Sequence, residues 1–143
     1  MAVPARVSLV TLGVADVERS ATFYEGLGWK RSPASVSGEV AFFGTAGGLL
    51  ALWRREALAR DVGEPPGERG ATAVTLAVNV DDRAAVDAAF ETVRAVGGRV
   101  IRPPEPTDWG GYVGYFADPD GHVWEVAHNP SWPIGDDGRP RLP

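Results

Sequence analysis

One pattern occurs twice in this chain, over residues 7–24 (VSLVTLGVADVERSATFY) and 73–90 (AVTLAVNVDDRAAVDAAF). Each copy has a run of β-branched residues, an aspartate and an amphipathic helical spacing, which predicts a strand followed by a helix. Asp16 and Asp82 stand at the expected helix N-caps, where a carboxylate accepts a hydrogen bond from a free backbone N–H. Three more strand candidates follow each helix. The repeat therefore predicts an α+β fold of two βαβββ modules.

The two modules set the expected division of the chain. The strand candidates after the helices are residues 29–34, 39–44 and 48–54 in the first half, and 99–102, 112–117 and 122–128 in the second. We predict a first module at 1–55, a linker at 56–71 that starts with a short helical piece, a second module at 72–129 and a C-terminal tail at 130–143. We expect the proline-rich tail to be ordered only if Trp132 docks against the rest of the chain.

Alternate side chains of a strand point to opposite faces of a sheet, so parity assigns each residue to a face. The branched faces are Val10, Leu12 and Val14 in the first strand, and Val74, Leu76, Val78 and Val80 in the fifth. These faces should pack under the helices, which gives a cupped mixed sheet with the helices on its outer face. The opposite face has small or weakly polar side chains and suits a concave binding site, although a second packed layer is the alternative.

The composition limits the classes of partner. The formal net charge is −5 and no basic stripe is present, which argues against nucleic acid and favours a cationic over an anionic ligand. Cysteine is absent, which excludes disulfides, thiolate metal sites and thiol nucleophiles, and Lys30 is the only lysine. No signal sequence precedes the first strand and no apolar run is long enough to span a bilayer, so we expect a cytoplasmic protein without a membrane partner.

A single carboxylate stands in the apolar segment that follows the turn DPDG at residues 118–121. That segment is HVWEVAH, with Glu125 among valine, tryptophan and alanine. A buried glutamate needs a partner, a proton or a ligand. Glu125 could act as a general acid or base, or anchor a cationic or hydroxylated ligand. Alternatively it is a structural residue, hydrogen-bonded to neighbouring hydroxyls such as those of Thr11 and Thr75.

Five tryptophans are many for a chain of 143 residues, and aromatic side chains are candidates for the wall of the cup. Parity places Trp53 on the concave face together with Ala51. Trp109 lies in the proline-rich segment 103–111, which could fold over the mouth of the cup or form a plain hairpin. Tyr112 is a further candidate, although parity does not decide which face of the sheet it is on. Aromatic walls suit a planar or cationic guest.

The two modules, the run LGVADVERSATFYEGLGW (residues 12–29) and the run FADPDGHVWEV (116–126) resemble the vicinal oxygen chelate superfamily. That group includes glyoxalases, extradiol dioxygenases, fosfomycin-modifying enzymes and bleomycin resistance proteins. The resemblance covers the chain up to about Asn129. It implies the fold, and also a homodimer, because members of this fold usually pair. It says less about activity, because one fold hosts many chemistries.

In the metal-dependent members of that superfamily, the ligands come from the first and fourth strands of each half. Carried over to this chain, the four positions hold Leu9, Ala51, Thr75 and Glu125. In an alternative register, Thr11 is the counterpart of Thr75. Only Glu125 could bind a divalent ion, whereas a catalytic metal normally has about three protein ligands. We therefore expect no metal and no other cofactor.

Three functions are open. The first is a metal-free protein that holds a small, aromatic or cationic organic molecule in the cup, as a drug-binding or carrier protein would. The second is a metal-independent isomerase or lyase with Glu125 as its catalytic acid or base, and the third is a glyoxalase-derived protein whose ancestral chemistry is lost. The predicted ligand-binding residues are Thr11, Ala51, Trp53, Thr75, Trp109, Tyr112 and Glu125.

Overall fold

The computed structural model describes Ala5 and residues 7–63 and 74–143. These residues form three helices and seven strands, in the order β1 (Leu9–Val14), α1 (Val17–Gly26), β2 (Val40–Thr45), β3 (Gly48–Arg54), α2 (Arg55–Val62), β4 (Leu76–Asn79), α3 (Arg83–Ala95), β5 (Arg99–Pro106), β6 (Tyr112–Ala117) and β7 (Val123–His128). The α+β fold class is thereby confirmed. None of the described helices has the length and apolar content needed to cross a membrane.

The described strands form two sheets that repeat one topology. The first sheet has the order β1-β3-β2, and the second has the order β4-β7-β6-β5. In each sheet the opening strand pairs in parallel with the last strand of its module, so that Thr11 lies beside Ala51 and Ala77 lies beside Glu125. The helix that follows each opening strand begins the crossover that a parallel pair needs. The internal repeat of the sequence is thus a repeat of the structure.

Both predicted helix N-caps are present. A carboxylate oxygen of Asp16 accepts from the backbone N–H of Arg19 at 3.0 Å, and one of Asp82 accepts from the backbone N–H of Ala85 at 2.7 Å. Each bond satisfies one of the N–H groups that the first turn of a helix leaves free. The two aspartates therefore fix where α1 and α3 begin.

The branched faces of β1 and β4 pack into one hydrophobic core, as parity predicts. Val74 is the exception, because it precedes β4 and is exposed. The core draws side chains from both modules: the ring of Tyr24 in α1 lies 6.0 Å from that of Trp124 in β7, centroid to centroid. The two modules are therefore packed against each other through aromatic rings.

One predicted strand is wrong. Residues 29–34 form no strand, and Arg31 makes a single bridge with Phe43 instead. Pro33 interrupts the pairing, because it has no N–H to donate and its ring fixes φ. The first module therefore has the order βαββ within the described ranges, one strand fewer than predicted.

The strand β5 is longer than predicted. The sequence predicts residues 99–102, whereas β5 continues to Pro106 and includes three prolines. Prolines are tolerated because β5 is an edge strand. Its pairing with β6 also shifts register on both sides of Arg102, as at β-bulges. The proline-rich segment is thus partly strand, and only its end forms a turn.

The linker and the tail carry two further predictions. The short helical piece at the start of the linker is α2, and residues 64–73 lie outside the described residues. The tail is fastened by Arg139, whose Nε donates to the carbonyl oxygen of Ala46 at 2.8 Å. Trp132 is 39% exposed. The tail is therefore attached to the first module through Arg139, and docking of Trp132 stays a prediction.

Candidate functional site

The turn before β7 joins the second module to α1. Oδ1 of Asp120 accepts from the backbone N–H of Ala15 at 2.9 Å and from Nη2 of Arg19 at 3.1 Å. Oδ2 of Asp118 accepts from the hydroxyl of Tyr24 at 2.7 Å. Both aspartates are buried. The sequence predicts this turn only as a chain reversal, but its carboxylates also hold the two modules together.

A short chain of buried hydrogen bonds extends from Asp118. The hydroxyl of Tyr24 accepts from Nε1 of Trp124 at 3.0 Å, and Nδ1 of His122 lies 2.8 Å from the Asp118 carboxylate. Burial, and then the negative charge of Asp118, raises the pKa of Tyr24 far above its ordinary value. Burial alone would lower the pKa of His122, but the hydrogen bond and charge of Asp118 raise it. Burial alone would raise the pKa of Asp118, but the hydrogen bond from His122 lowers it.

Glu125 lies in the middle of β7, on the face that points away from the core. Its neighbours Trp124 and Val126 are buried on the other face. The hydroxyl of Tyr115 donates to Oε2 of Glu125 at 2.9 Å. On the side toward β4, the residue beside Glu125 is the exposed Ala77. The half-buried glutamate thus has a hydrogen-bond partner on one side and a small side chain on the other.

Tyr115 is the site residue that sequence reasoning missed. Residues at equal distances from the turn of a hairpin pair with each other, and Tyr115 lies opposite Glu125 in the register of β6 and β7. Counting from the turn could have identified it. The hydrogen bond to Glu125, followed by burial and the charge of the carboxylate, raises the pKa of Tyr115. Tyr115 therefore keeps its proton at neutral pH and stays a donor.

The concave face of the first sheet carries three of the predicted residues. Thr11 lies beside Ala51, and Trp53 lies beside Gly13. Thr11 and Trp53 are half-buried, whereas Ala51 is only 2% exposed. The helix α2 covers one end of this face, because a Cβ placed on Gly13 would lie 3.1 Å from Cγ of Arg55. The alternative of a second packed layer thus applies at this end.

The three other predicted residues are not part of the hydrogen-bonded pair of Glu125 and Tyr115. Thr75 directly precedes β4 and is exposed. Trp109 is 55% exposed and its ring lies over its own turn, since a Cβ on Gly111 would collide with the indole ring. This contact fits the plain hairpin. Tyr112 is on the opposite face of β6, where its hydroxyl donates to Oδ1 of Asp87 in α3 at 2.8 Å.

A cavity of about 620 Å³ lies elsewhere, between β1 and β4. The loop between β2 and β3 and the tail residues 138–140 complete its wall, and Trp29 and Trp124 provide aromatic surface. None of the seven predicted ligand-binding residues lines this cavity. Sequence reasoning missed it because its walls come from segments that are far apart in the chain.

Residues 6–126 match the sequence profile of the Glyoxalase/Bleomycin resistance protein/Dioxygenase superfamily. The chain belongs to this superfamily. A solved structure described as a glyoxalase-related enzyme from Fulvimarina pelagi is 41% identical, with a TM-score of 0.88, and the match covers 97% of this chain and 99% of that one. The resemblance inferred from the repeat and the two motifs is thereby confirmed.

Two further solved structures are similar to this chain. A glyoxalase/bleomycin resistance protein/dioxygenase from Nocardioides is 28% identical, with a TM-score of 0.74, and the match covers 90% of this chain and 85% of that one. Lactoylglutathione lyase from Agrobacterium tumefaciens is 23% identical, with a TM-score of 0.69 over 88% and 95% of the two chains. At that identity, the likeness shows the fold alone. None of the curated proteins matches this chain.

The residues at the superfamily's metal-binding positions do not fit a metal ion. The two helix caps have the spacing that aligns Leu9 with Thr75, rather than Thr11 with Thr75. The four positions therefore hold two hydrocarbon side chains, one hydroxyl and one carboxylate, from Leu9, Ala51, Thr75 and Glu125. Hydrocarbon cannot coordinate, and a catalytic metal needs about three protein ligands. Among the described residues, no three His, Cys, Asp or Glu side chains are grouped so as to hold a metal ion.

Proposed function

We propose that the protein binds a small organic molecule, without a metal ion, at the face that carries Glu125. The supporting observation is the half-buried pair of Glu125 and Tyr115 on a strand face that points away from the core. A carboxylate has two oxygens with about four acceptor positions, and the hydroxyl of Tyr115 occupies one of them. The remaining positions can accept donors from a ligand.

The chemistry of this face favours a cationic or hydroxylated ligand with a planar part. A carboxylate attracts a positive charge and accepts from hydroxyl donors. The exposed Ala77 beside Glu125 leaves room for such a group, and the ring of the half-buried Tyr115 offers aromatic surface next to the carboxylate. The name of the Nocardioides relative includes bleomycin resistance. Bleomycin, which contains planar and cationic groups, is therefore the first ligand to test.

Isothermal titration calorimetry with metal-free bleomycin and with N-methylquinolinium, in the presence of a chelator, tests this proposal. We expect both compounds to bind, and we expect Glu125→Gln to weaken binding about tenfold, since a hydrogen bond to a charged group is lost. Glu91→Gln, an exposed substitution in α3 with the same change of charge, should leave the affinity unchanged. If neither compound binds, or if the two variants behave alike, the proposal is wrong.

Acid–base catalysis is the second candidate, and the hydrogen bond between Tyr115 and Glu125 favours it. The bond fixes the orientation of the carboxylate, and the raised pKa of Tyr115 keeps the tyrosine protonated as the donor of that bond. In an isomerase or lyase, Glu125 would remove a proton from the carbon next to a carbonyl group. NMR of α-hydroxyketones in deuterium oxide would detect this step as exchange. Glu125→Gln should abolish the exchange, and exchange that survives in this variant would exclude the function.

A further inference from the structure

The cavity between β1 and β4 has the size of a small-molecule site. Its volume of about 620 Å³ falls within the range of about 300–1,000 Å³ that is typical of ligand pockets. It adjoins the face of Glu125 at Ala77, which lines the cavity and lies beside Glu125, but neither Glu125 nor Tyr115 lines it. A ligand in this cavity would therefore be held by residues other than Glu125 and Tyr115.

Most of the cavity wall is hydrocarbon. Aliphatic side chains of β1 and β4 line it together with the rings of Trp29 and Trp124. The polar atom of Trp124 is not offered to the cavity, since its Nε1 already donates to the hydroxyl of Tyr24 at 3.0 Å. Leu9 and Leu49, which also line the cavity, are 43% and 50% exposed. A guest with an apolar body would cover this surface, and its removal from water favours binding.

The charged side chains of the wall all have one sign. Lys30 and Arg139 line the cavity, and the described residues of the wall include no aspartate or glutamate. The bond from Nε of Arg139 to the carbonyl oxygen of Ala46 holds the guanidinium in place and uses one of its five N–H donors. Complementary charge therefore calls for an anionic guest.

We propose that this cavity binds an apolar carboxylate, with its chain or ring against the two tryptophans and its carboxylate on Lys30 and Arg139. An aliphatic and an aromatic acid share this chemistry. A second copy of the chain is the other occupant that an apolar cavity at two strand edges could take. Such a copy would have to place acidic groups against Lys30 and Arg139, because an unpaired charge is costly to bury.

Matched ligands separate these possibilities. Decanoate, decanol and decyltrimethylammonium share one alkyl chain and differ in charge, and 2-naphthoate represents the aromatic acids. We expect decanoate or 2-naphthoate to bind at one site per chain, decanol to bind at least about fivefold more weakly, and the ammonium compound to bind more weakly still. Equal affinities for decanoate and decanol would overturn the proposal.

Substitutions of the two basic residues and an isotope label on Lys30 test whether the acid binds in this cavity. Lys30→Gln and Arg139→Gln should each weaken binding of the preferred acid by about three- to tenfold and leave decanol binding unchanged. Arg94→Gln, an exposed control in α3, should have no effect. Because Lys30 is the only lysine, reductive methylation with ¹³C-formaldehyde labels this side chain and the N-terminal amine. The NMR signal of the labelled lysine should shift when the acid binds, and an unchanged signal at saturation would refute the site.

Two further results decide between this inference and its rivals. Glu125→Gln should bind the acid as the original protein does, so a failure of the function proposed for Glu125 leaves this prediction intact. Sedimentation with and without the acid tests the second copy. If Lys30→Gln alters the association of the chain and no acid binds, the cavity is an interface between copies and the proposal is wrong.

Discussion

Replacing Tyr24 by phenylalanine tests whether the buried hydrogen bonds between the modules stabilise the fold. Tyr24 is 0% exposed. Its hydroxyl donates to the carboxylate of Asp118 at 2.7 Å and accepts from Nε1 of Trp124 at 3.0 Å. Phenylalanine keeps the ring and its contacts with the neighbouring rings, and it removes only the oxygen. The substitution therefore measures the hydrogen bonds with little change in packing.

The expected loss follows from two contributions. A hydrogen bond to a charged group contributes about 1.5–3 kcal/mol, and a buried donor left without a partner costs about 1–3 kcal/mol. The variant loses a bond of the first kind to Asp118 and leaves Nε1 of Trp124 without its acceptor. Asp118 keeps its bond with His122, which places the total toward the lower end. We expect Tyr24→Phe to lower the free energy of unfolding by about 3 kcal/mol.

Urea denaturation at pH 5.5, followed by far-ultraviolet circular dichroism, measures this loss. Tyr112→Phe is the matched control, because the hydroxyl of Tyr112 also donates to a carboxylate, that of Asp87, at 2.8 Å, but at an exposed position. Water replaces that bond when the hydroxyl is removed, so the control should be much closer to the original protein. Equal losses in the two variants, or a loss below about 1 kcal/mol in Tyr24→Phe, would refute the reasoning.

Three other predictions concern pH, packing and helix capping. The pKa of His122 is raised beside Asp118. The stability that His122 gains from this pair is therefore fully present below pH 6.5 and declines as the pH rises through the folded-state pKa. In urea unfolding measured across this pH range, His122→Asn should remove that decline. Gly114→Ala should lower the free energy of unfolding by about 1–3 kcal/mol, because its Cβ would lie 2.6 Å from a buried aromatic carbon, whereas Gly44→Ala, with open space, should change it little. Asp82→Ala should cost about 1 kcal/mol in the same assay, since it removes the N-cap of α3.

The parts of the fold that the sequence predicts are those set by local spacing. Asp16 and Asp82 cap helices because each lies at the end of a strand-like run, and a cap needs only the residues of the next turn. The alternating face of Val10, Leu12 and Val14 is likewise a property of one strand. Neither feature depends on which strand lies next to it. The repeat could therefore be recognised without any knowledge of the tertiary structure.

The features that the sequence does not predict depend on pairing or on distant contacts. Whether Tyr112 faces the helix or the cup depends on the register of β6, which is set by the turn that follows it. The partner of Glu125 follows from the same register, which pairs it with Tyr115 instead of the threonines that the sequence analysis names. The strand predicted at 29–34 fails at Pro33. A proline interrupts a strand only where the neighbouring strand needs a hydrogen bond from that position, and the sequence does not show where that is. The cavity has walls from both ends of the chain, and no local pattern describes it.

The two proposed sites adjoin at β4 and β7 and differ in charge. In β7, Trp124 contributes to the cavity while Glu125, the next residue, lies on the opposite face. The overall negative charge favours a cationic ligand, and this agrees with the face of Glu125 but not with the wall that holds Lys30 and Arg139. Net charge averages over the whole surface, whereas a ligand responds to the groups within a few ångströms. The local charges therefore decide the ligand class of each site. Replacing Glu125 should change only the affinity for the cationic ligand, and replacing Lys30 or Arg139 should change only the affinity for the acid.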